Sequence, residues 1–322
     1  EMKNQTILSG KSVNSESADN VYHVITCIAD EDYVGTLPEG TSETSSLIIA
    51  DTEREYTGVP IVLDGLQIMD GKAMGYDKSS VTNAYTYYRG GGVLVDGNWF
   101  KATRTDEGEL PESDENYTRA ADPRSVGRRS IPLTVRNCEF TNNRAGAGGA
   151  IFSNGVVELY SCNFAQNAAK RRAETDAPAA AQRSNGNGGA VFSSYVLSAV
   201  NTIFANNEAG VAEETGDLSL LDEVGSRGGA VFHAANGQYG SMQLMNCNFV
   251  RNQALSYPAL YVLYPNRGGL LREENPHKVI NSIFWQNVVR TGEGITVDGG
   301  QKQMGLACNY WNRINQAFVA ER

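Results

Sequence analysis

The sequence predicts an all-β fold, a right-handed parallel β-helix of the single-stranded, pectate-lyase-like solenoid type. Three observations predict it: a glycine-pair motif that recurs every 40 residues, a Phe-x-x-Asn motif that interleaves with it, and an uninterrupted coil of about 21 residues. A coil of that length is shorter than a βαβ unit, which needs roughly 30 residues. It suits one turn of a β-solenoid, in which each coil pairs with the next.

The glycine-pair motif comes directly before an apolar strand at every occurrence. Its copies are Gly148-Gly149-Ala150-Ile151-Phe152, Gly188-Gly189-Ala190-Val191-Phe192, Gly228-Gly229-Ala230-Val231-Phe232 and Gly268-Gly269-Leu270-Leu271, with an earlier relative at Gly91-Gly92-Val93-Leu94-Val95. Paired glycines fit a corner at which a side chain would clash or a positive φ is required. We therefore expect one such corner in each coil.

The Phe-x-x-Asn motif predicts two ladders of identical side chains inside the solenoid. Its five copies contain Phe140, Phe164, Phe204, Phe249 and Phe284, followed by Asn143, Asn167, Asn207, Asn252 and Asn287. We expect the phenylalanine rings to stack from coil to coil. The asparagine amides are expected to hydrogen-bond their neighbours above and below at a turn.

Residues upstream of each phenylalanine fall into further columns. A small polar residue three positions upstream predicts a bend that changes which side chains face inward. The column two positions upstream contains Cys138, Cys162, Thr202, Cys247 and Ser282. A buried thiol behaves as a small hydrophobic group, so these cysteines are expected to be structural and unreactive. Metal binding is the alternative, but no zinc-type Cys/His spacing supports it.

The whole chain, residues 1–322, is expected to form a single β-helix domain of a longer protein. Interruptions of the coils are predicted at about 28–56, 99–130, 168–187 and 208–227. Terminal coils of a solenoid must be covered. We therefore expect the N-terminal coil to be capped by a segment that precedes Glu1 or by another chain.

The net charge of −10 argues against nucleic acid or an anionic membrane as a partner. No apolar stretch approaches the roughly 20 residues that a membrane-spanning helix needs. We find no nucleotide-binding loop, zinc motif or nucleophile elbow. The sequence therefore predicts no catalytic residue, metal site or cofactor.

The Gly-Gly-Ala-Ile/Val and Phe-x-x-Asn motifs resemble the repeat pair of chlamydial polymorphic outer-membrane proteins. The segments 22–25 and 63–73 are similar to parallel-β-helix surface proteins of Bacteroides-type bacteria, and the resemblance covers about residues 5–290. It implies export, association with the outer membrane, display at a bacterial cell surface and adhesion. The expected function is an adhesin-like binding or structural module whose partner is a glycan or a protein at the cell surface.

One aromatic segment is the candidate binding site. Tyr85, Tyr87, Tyr88 and Arg89 precede a glycine corner. Exposed tyrosines with an arginine suit carbohydrate stacking or protein contact. The alternative is that alternate tyrosines pack inside the solenoid as strand residues.

The competing function is a polysaccharide lyase or a glycoside hydrolase that acts on an extracellular glycan. A lyase of this kind would need clustered carboxylates, calcium and a basic residue, and a hydrolase would need two carboxylates about 5–9 Å apart. The candidate carboxylates are Asp64, Asp70 and Asp96, with Lys72 and Arg89 as bases. Asp64 and Asp70 lie at opposite ends of one strand segment, which disfavours a dyad.

Overall fold

A computed structural model describes much of the chain and places its strands in four sheets. The described residues are 6–11, 21–28, 45–50, 61–73, 89–96, 132–171, 186–194, 196–212, 226–234, 241–263, 277–291, 294–297, 304–306 and 317–319. Within these ranges every regular element is a strand, and no helix occurs. We number the sheets 1 to 4 in the order in which the chain visits them in one coil.

Sheets 1 and 2 follow one another directly in the chain. Sheet 1 consists, in spatial order, of β4 (Ile61–Asp64), β8 (Leu133–Arg136), β12 (Val156–Tyr160), β16 (Val196–Val200), β20 (Ser241–Met245) and β24 (Lys278–Ile280). Sheet 2 consists of β1 (Thr6–Ser9), β5 (Leu66–Met69), β9 (Glu139–Thr141), β13 (Asn163–Ala165), β17 (Ile203–Ala205), β21 (Asn248–Val250), β25 (Ser282–Trp285) and β29 (Ala317–Val319).

Sheets 3 and 4 complete the coil. Sheet 3 consists of β6 (Lys72–Ala73), β10 (Arg144–Ala145), β14 (Ala168–Arg171), β18 (Glu208–Ala212), β22 (Gln253–Ala254), β26 (Val288–Thr291) and β27 (Gly294–Val297). Sheet 4 consists of β3 (Ser45–Ala50), β2 (His23–Ile28), β7 (Val93–Asp96), β11 (Ile151–Ser153), β15 (Val191–Ser193), β19 (Val231–Ala234), β23 (Leu260–Leu263) and β28 (Met304–Leu306).

With one exception, neighbouring strands within each sheet come from successive coils and run parallel. Phe164 lies opposite Phe140 on one side and Phe204 on the other, so the repeat motif is in register across coils. Among the described strand pairs, β26 and β27 alone are antiparallel, and β27 folds back over the C-terminal edge of sheet 3. This arrangement confirms the predicted parallel β-helix.

The bend between sheets 1 and 2 has a local backbone cause. The small polar residues three positions before each phenylalanine, Asn137, Ser161, Asn201, Asn246 and Asn281, all have φ between 50° and 53°. Asparagine tolerates this left-handed conformation better than most residues with a side chain. One such residue turns the chain and changes the inward-facing parity, as the sequence predicted.

Both predicted ladders are present in the interior. Successive phenylalanine rings, from Phe140 to Phe284, stack with centroid distances between 4.6 and 5.1 Å, and all five side chains are fully buried. Each of the first four asparagine amides, from Asn143 to Asn252, also donates to the next asparagine in the column. Asn167 Nδ2, for example, lies 3.0 Å from Asn207 Oδ1 and 2.9 Å from the carbonyl oxygen of Phe140. The ladder thereby satisfies buried backbone groups at the bend between sheets 2 and 3.

The glycine corner needs glycine for two separate reasons. Gly188, the first residue of its pair, has a φ of +68°. A Cβ on Gly189, the second residue, would overlap the carbonyl oxygen of Gly229 in the next coil. The first position therefore needs glycine because of its positive φ, and the second needs glycine because the backbone of the next coil is close.

The cysteine column is buried, as predicted. The thiol of Cys162 donates to the carbonyl oxygens of Val135 and Tyr160, each at 3.4 Å. Burial raises the pKa of the Cys162 thiol to about 12 and that of Cys247 to about 11. A thiol that stays protonated is a poor nucleophile and a poor metal ligand, which fits the structural role.

Two predicted interruptions begin later than expected. Residues 168–171 form β14 and residues 208–212 form β18, and these two strands pair with each other. The part of the interruption at 28–56 that the structure describes includes β3, which pairs with the outer side of β2. The interruption at 99–130 lies outside the described residues. Strand pairing includes residues 45–50, 168–171 and 208–212 because their backbones continue the ladder of the neighbouring coil.

Candidate interaction surface

We name the outward side of sheets 1 and 2 the 1–2 face; in the described strands from β4 to β26, only short connections join sheet 1 to sheet 2 and sheet 2 to sheet 3. In all six coils that contain both sheets, their strands are joined by one or two residues, and two residues lead from sheet 2 to sheet 3. From β4 onwards, longer connections leave the coil only after sheet 3 or sheet 4. Because no insertion interrupts it, the 1–2 face is a continuous strand surface.

The 1–2 face exposes large apolar side chains. Ile7, Val62, Ile203 and Ile283 are the large hydrophobic residues that stand out as exposed in the described part of the chain, at 58%, 48%, 42% and 45%. All four are on strands of sheet 1 or sheet 2. Successive residues of a strand face opposite sides of the sheet, so the residues next to the inward-facing phenylalanines face outward.

A group of neighbouring apolar residues lies on the C-terminal coils of this face. Ile203, Asn248 and Ile283 are in register on β17, β21 and β25. The half-buried residues beside them are Val200, Met245, Ile280, Ala205, Val250 and Trp285. We name the set formed by Ile203, Ile283 and these six residues the apolar strip. An exposed apolar surface of this kind marks an interaction site more often than a scattered exposed residue does.

On the N-terminal coils of the 1–2 face, the exposed Ile7 and Val62 are accompanied by hydrogen-bonded and charged side chains. Asn137 Nδ2 donates to Asp64 Oδ1 at 2.9 Å, and the hydroxyl of Thr134 donates to Glu158 at 3.1 Å. The Arg136 guanidinium lies 5.9 Å from the centre of the Tyr160 ring, within the range of a cation–π contact. Charged and hydrogen-bonded side chains therefore occur beside exposed apolar ones in the N-terminal part of this face.

A second aromatic ladder lies on the outward side of sheet 4. Phe152, Phe192, Phe232 and Tyr261 follow one another with centroid distances of 4.9, 4.9 and 5.4 Å. They form a buried cluster separate from the main core. Our sequence analysis did not identify this ladder, although its signal is the phenylalanine that ends each Gly-Gly-Ala-Ile/Val-Phe copy.

Arginines pack against both ends of this outward ladder. The Arg89 guanidinium is 4.6 Å from the centre of the Phe152 ring, and that of Arg227 is 4.7 Å from the centre of the Tyr261 ring. Arg227 also donates to the Tyr261 hydroxyl at 2.8 Å. These contacts give Arg89 a packing role in addition to the binding role predicted for it.

The other predicted binding residues, Tyr85, Tyr87 and Tyr88, lie outside the residues that the structure describes. Their participation in binding, together with that of Arg89, stays a prediction.

The candidate carboxylates of the enzyme hypothesis occupy three different places. Asp64 ends β4 of sheet 1, and Asp96 ends β7 of sheet 4. Asp70 is buried at the bend after β5 with a φ of 60°, where it accepts hydrogen bonds from Asn142 and Ser9 and lies 3.6 Å from Lys11 Nζ. The structure does not bring these three residues into one groove.

The described part of the chain contains no group of three or more His, Cys, Asp or Glu side chains arranged to hold a metal ion. Among the same residues, none forms a helix that is long and apolar enough to cross a membrane.

Comparison with known proteins gives one family match. Residues 137–154 match the Chlamydia polymorphic membrane protein (Chlamydia_PMP) repeat, and they contain one Phe-x-x-Asn motif and the following Gly-Gly-Ala-Ile-Phe. No curated protein and no solved structure matches the chain. The resemblance to Bacteroides-type surface proteins is not confirmed. The chain thus carries a repeat of the chlamydial surface-protein type on a parallel β-helix, which supports a location at the cell surface in general terms.

Proposed function

We propose that the chain is an adhesin-like binding module, displayed outside the cell on a bacterial outer membrane, that engages a protein partner through the apolar strip. The observation that carries the proposal is the exposure of Ile203 and Ile283 in register on an uninterrupted strand surface. Exposing aliphatic side chains to water is unfavourable, and binding a partner removes that cost. The match to a surface-protein repeat supports the location.

The chemistry of the strip favours a protein over a glycan. Its exposed members are branched aliphatic side chains, and Trp285 at its margin is half-buried. Sugar recognition uses aromatic faces and convergent hydrogen-bonding groups, whereas the centre of a protein interface is apolar and poor in charge. The hydrogen-bonded and charged side chains on the N-terminal part of the 1–2 face fit the rim of such an interface.

The test measures attachment of protein-coated fluorescent beads to epithelial cell monolayers. The variant Ile203→Glu/Ile283→Glu adds two negative charges to the strip and is expected to reduce attachment at least tenfold. Arg144→Glu changes the net charge by the same amount on an exposed residue of sheet 3, outside the 1–2 face, and is the matched control. It should attach like the wild type.

Pretreatment of the cells identifies the class of partner. Trypsin should abolish attachment, whereas enzymatic deglycosylation should leave it in place. Loss after deglycosylation alone would show a glycan partner, and equal attachment by all three proteins would exclude the apolar strip. Incubation with polysaccharides, with and without calcium, is the control for enzyme activity. New reducing or unsaturated ends would replace the binding proposal with a catalytic one.

A further inference from the structure

The two methionines of β20 face opposite sides of sheet 1. Met242 faces the interior, where it is 2% exposed and lies in the same column as Leu197. Met245 faces outward and is half-buried. Because an oxidant in solution can reach only a side chain that is in contact with solvent, the strand has one accessible thioether and one protected thioether.

Met245 lies on the middle one of the three coils that form the apolar strip. It is in register with Val200 on β16 and with Ile280 on β24. On the neighbouring sheet, Ile203 and Ile283 belong to the two coils on either side of it. A polar group that forms at Met245 would therefore lie among aliphatic side chains, inside the surface to which we assign the binding of a protein partner.

A hydrogen-bond donor lies at the sulfur of Met245. The side chain of Gln243, which is exposed on the same side of β20, places its Nε2 3.2 Å from Met245 Sδ. A thioether is a weak acceptor, whereas a sulfoxide is polar. The same amide can donate to a sulfoxide oxygen on Met245, so the oxidised side chain gains a hydrogen bond at the free surface.

We propose that Met245 is an oxidation site whose sulfoxide prevents binding at the apolar strip. The oxidant is a peroxide or a hypohalous acid. With hydrogen peroxide, the sulfur attacks one peroxide oxygen, an S–O bond forms, and the O–O bond breaks. The thioether loses two electrons, and the peroxide is reduced to water. Burying the polar sulfoxide in an apolar interface is unfavourable, so the oxidised strip binds its partner more weakly.

The described cysteine column does not compete for the oxidant. Peroxide reacts with a thiolate rather than with a protonated thiol. Burial raises the pKa of the Cys162 thiol to about 12 and that of Cys247 to about 11, so both stay protonated at neutral pH. Hydrogen peroxide at pH 7 is therefore a suitable probe of the thioethers.

Peptide mapping of the full chain after treatment with hydrogen peroxide tests the site. In the native protein, Met245 should be oxidised at least about tenfold faster than Met242, because Met242 reacts only when its coil opens. In urea, the two methionines should react at similar rates. Equal rates in the native protein would overturn the proposal, and this measurement does not depend on the proposed function.

The effect on binding rests on the proposed function, and bead attachment measures it. Oxidised wild type should attach at least about fivefold less than untreated wild type. Reductases that act on both sulfoxide epimers should restore attachment. Met245→Leu has no sulfur at this position, so peroxide should change its attachment less than about twofold relative to its own untreated sample. Met242→Leu, with the residue type of Leu197 in the same column, should lose attachment as the wild type does.

The outcomes separate this proposal from the proposed function. If peroxide oxidises Met245 without reducing attachment, while Ile203→Glu/Ile283→Glu abolishes attachment, the oxidation proposal is wrong and the proposed function stands. An equal loss in oxidised Met245→Leu and oxidised wild type would assign the effect to another residue and also overturn the oxidation proposal. Attachment that responds to neither the glutamate substitutions nor peroxide would refute both.

Discussion

Replacing one asparagine of the interior ladder is expected to destabilise the solenoid far more than replacing an asparagine on its surface. In Asn207→Ala, the side chain that is lost accepts hydrogen bonds from the backbone N–H and the Nδ2 of Asn167, each at 3.0 Å. It also donates to the carbonyl oxygen of Phe164 at 2.9 Å and to Asn252 Oδ1 at 3.0 Å. The substitution therefore removes four hydrogen bonds from a fully buried site.

The expected cost follows from what remains after the substitution. Asn167 Nδ2 still donates to Phe140, and Asn252 Oδ1 still accepts from the backbone N–H of Asn207. The backbone N–H of Asn167 loses its acceptor, which costs about 1–3 kcal/mol, and the other three bonds contribute about 0.5–1.5 kcal/mol each. We expect the free energy of unfolding to fall by about 4 kcal/mol.

The matched control is Asn246→Gly on the surface. Asn246 also belongs to an asparagine column, with hydrogen bonds of 3.2 Å to Asn201 and 3.1 Å from Asn281, but it is exposed. Its φ of 53° is one that glycine adopts without strain. Water replaces the lost bonds, so the expected cost is below about 1 kcal/mol.

Urea unfolding followed by circular dichroism and tryptophan fluorescence measures the free energies of both variants. Because the coils of a solenoid can unfold separately, hydrogen exchange at the Asn167 amide provides a local readout. If Asn207→Ala and Asn246→Gly have equal effects on both measurements, the argument that buried hydrogen bonds hold the coils together is wrong.

Three further predictions concern the corner, the thiols and the core. Gly189→Ala should lower the free energy of unfolding, measured by heat or urea, by about 3 kcal/mol or more, because the added Cβ would overlap the backbone of the next coil. Gly65→Ala should lower it by about 1–2 kcal/mol, because Gly65 has a φ of +70° but open space around it. Similar values for the two variants would contradict the overlap. The Cys162 thiol should resist an aromatic disulfide reagent at pH 8 in the folded protein and react fully in urea, and peptide mapping that finds native modification would refute its burial. Phe204→Ala should cost about 3–5 kcal/mol and Ile203→Ser less than about 1 kcal/mol, because neighbouring residues face opposite sides of one strand; unfolding curves with equal shifts would show that this orientation is wrong.

Much of the fold could be predicted from the repeat because each motif contains residue types that the backbone needs at that position. Asn207 recurs because a buried bend needs an amide that both donates and accepts, and Gly189 recurs because two coils approach too closely for a Cβ. Requirements of this kind depend on the adjacent coil alone, so they repeat in the sequence and can be found there. The β-helix, the phenylalanine and asparagine ladders and the buried cysteine column followed from them.

The candidate surface was harder to predict because a single residue does not show which side of a strand it faces. Ile203 and Phe204 are adjacent apolar residues, yet one is exposed and the other fully buried. The bend at Asn201 sets that alternation, and the register between coils then aligns Ile203 with Ile283 across Asn248. The same parity places Phe152 outside the main core. The phenylalanine that ends each glycine-pair motif recurs in the sequence, but the recurrence does not show which side of the strand it faces.

By itself, the sequence determined the architecture of this protein, since the motifs recur from coil to coil and like residues must stack on like. Only the tertiary structure decided which residues meet across coils that are distant in sequence. It placed His277 beside His233, separated Asp64 from Asp96, and collected the apolar strip on one uninterrupted face. The physical reason is that the repeated motif of each coil already specifies which residues form the core. A surface or a buried pair depends instead on the register between coils and on the bend that turns each side chain inward or outward.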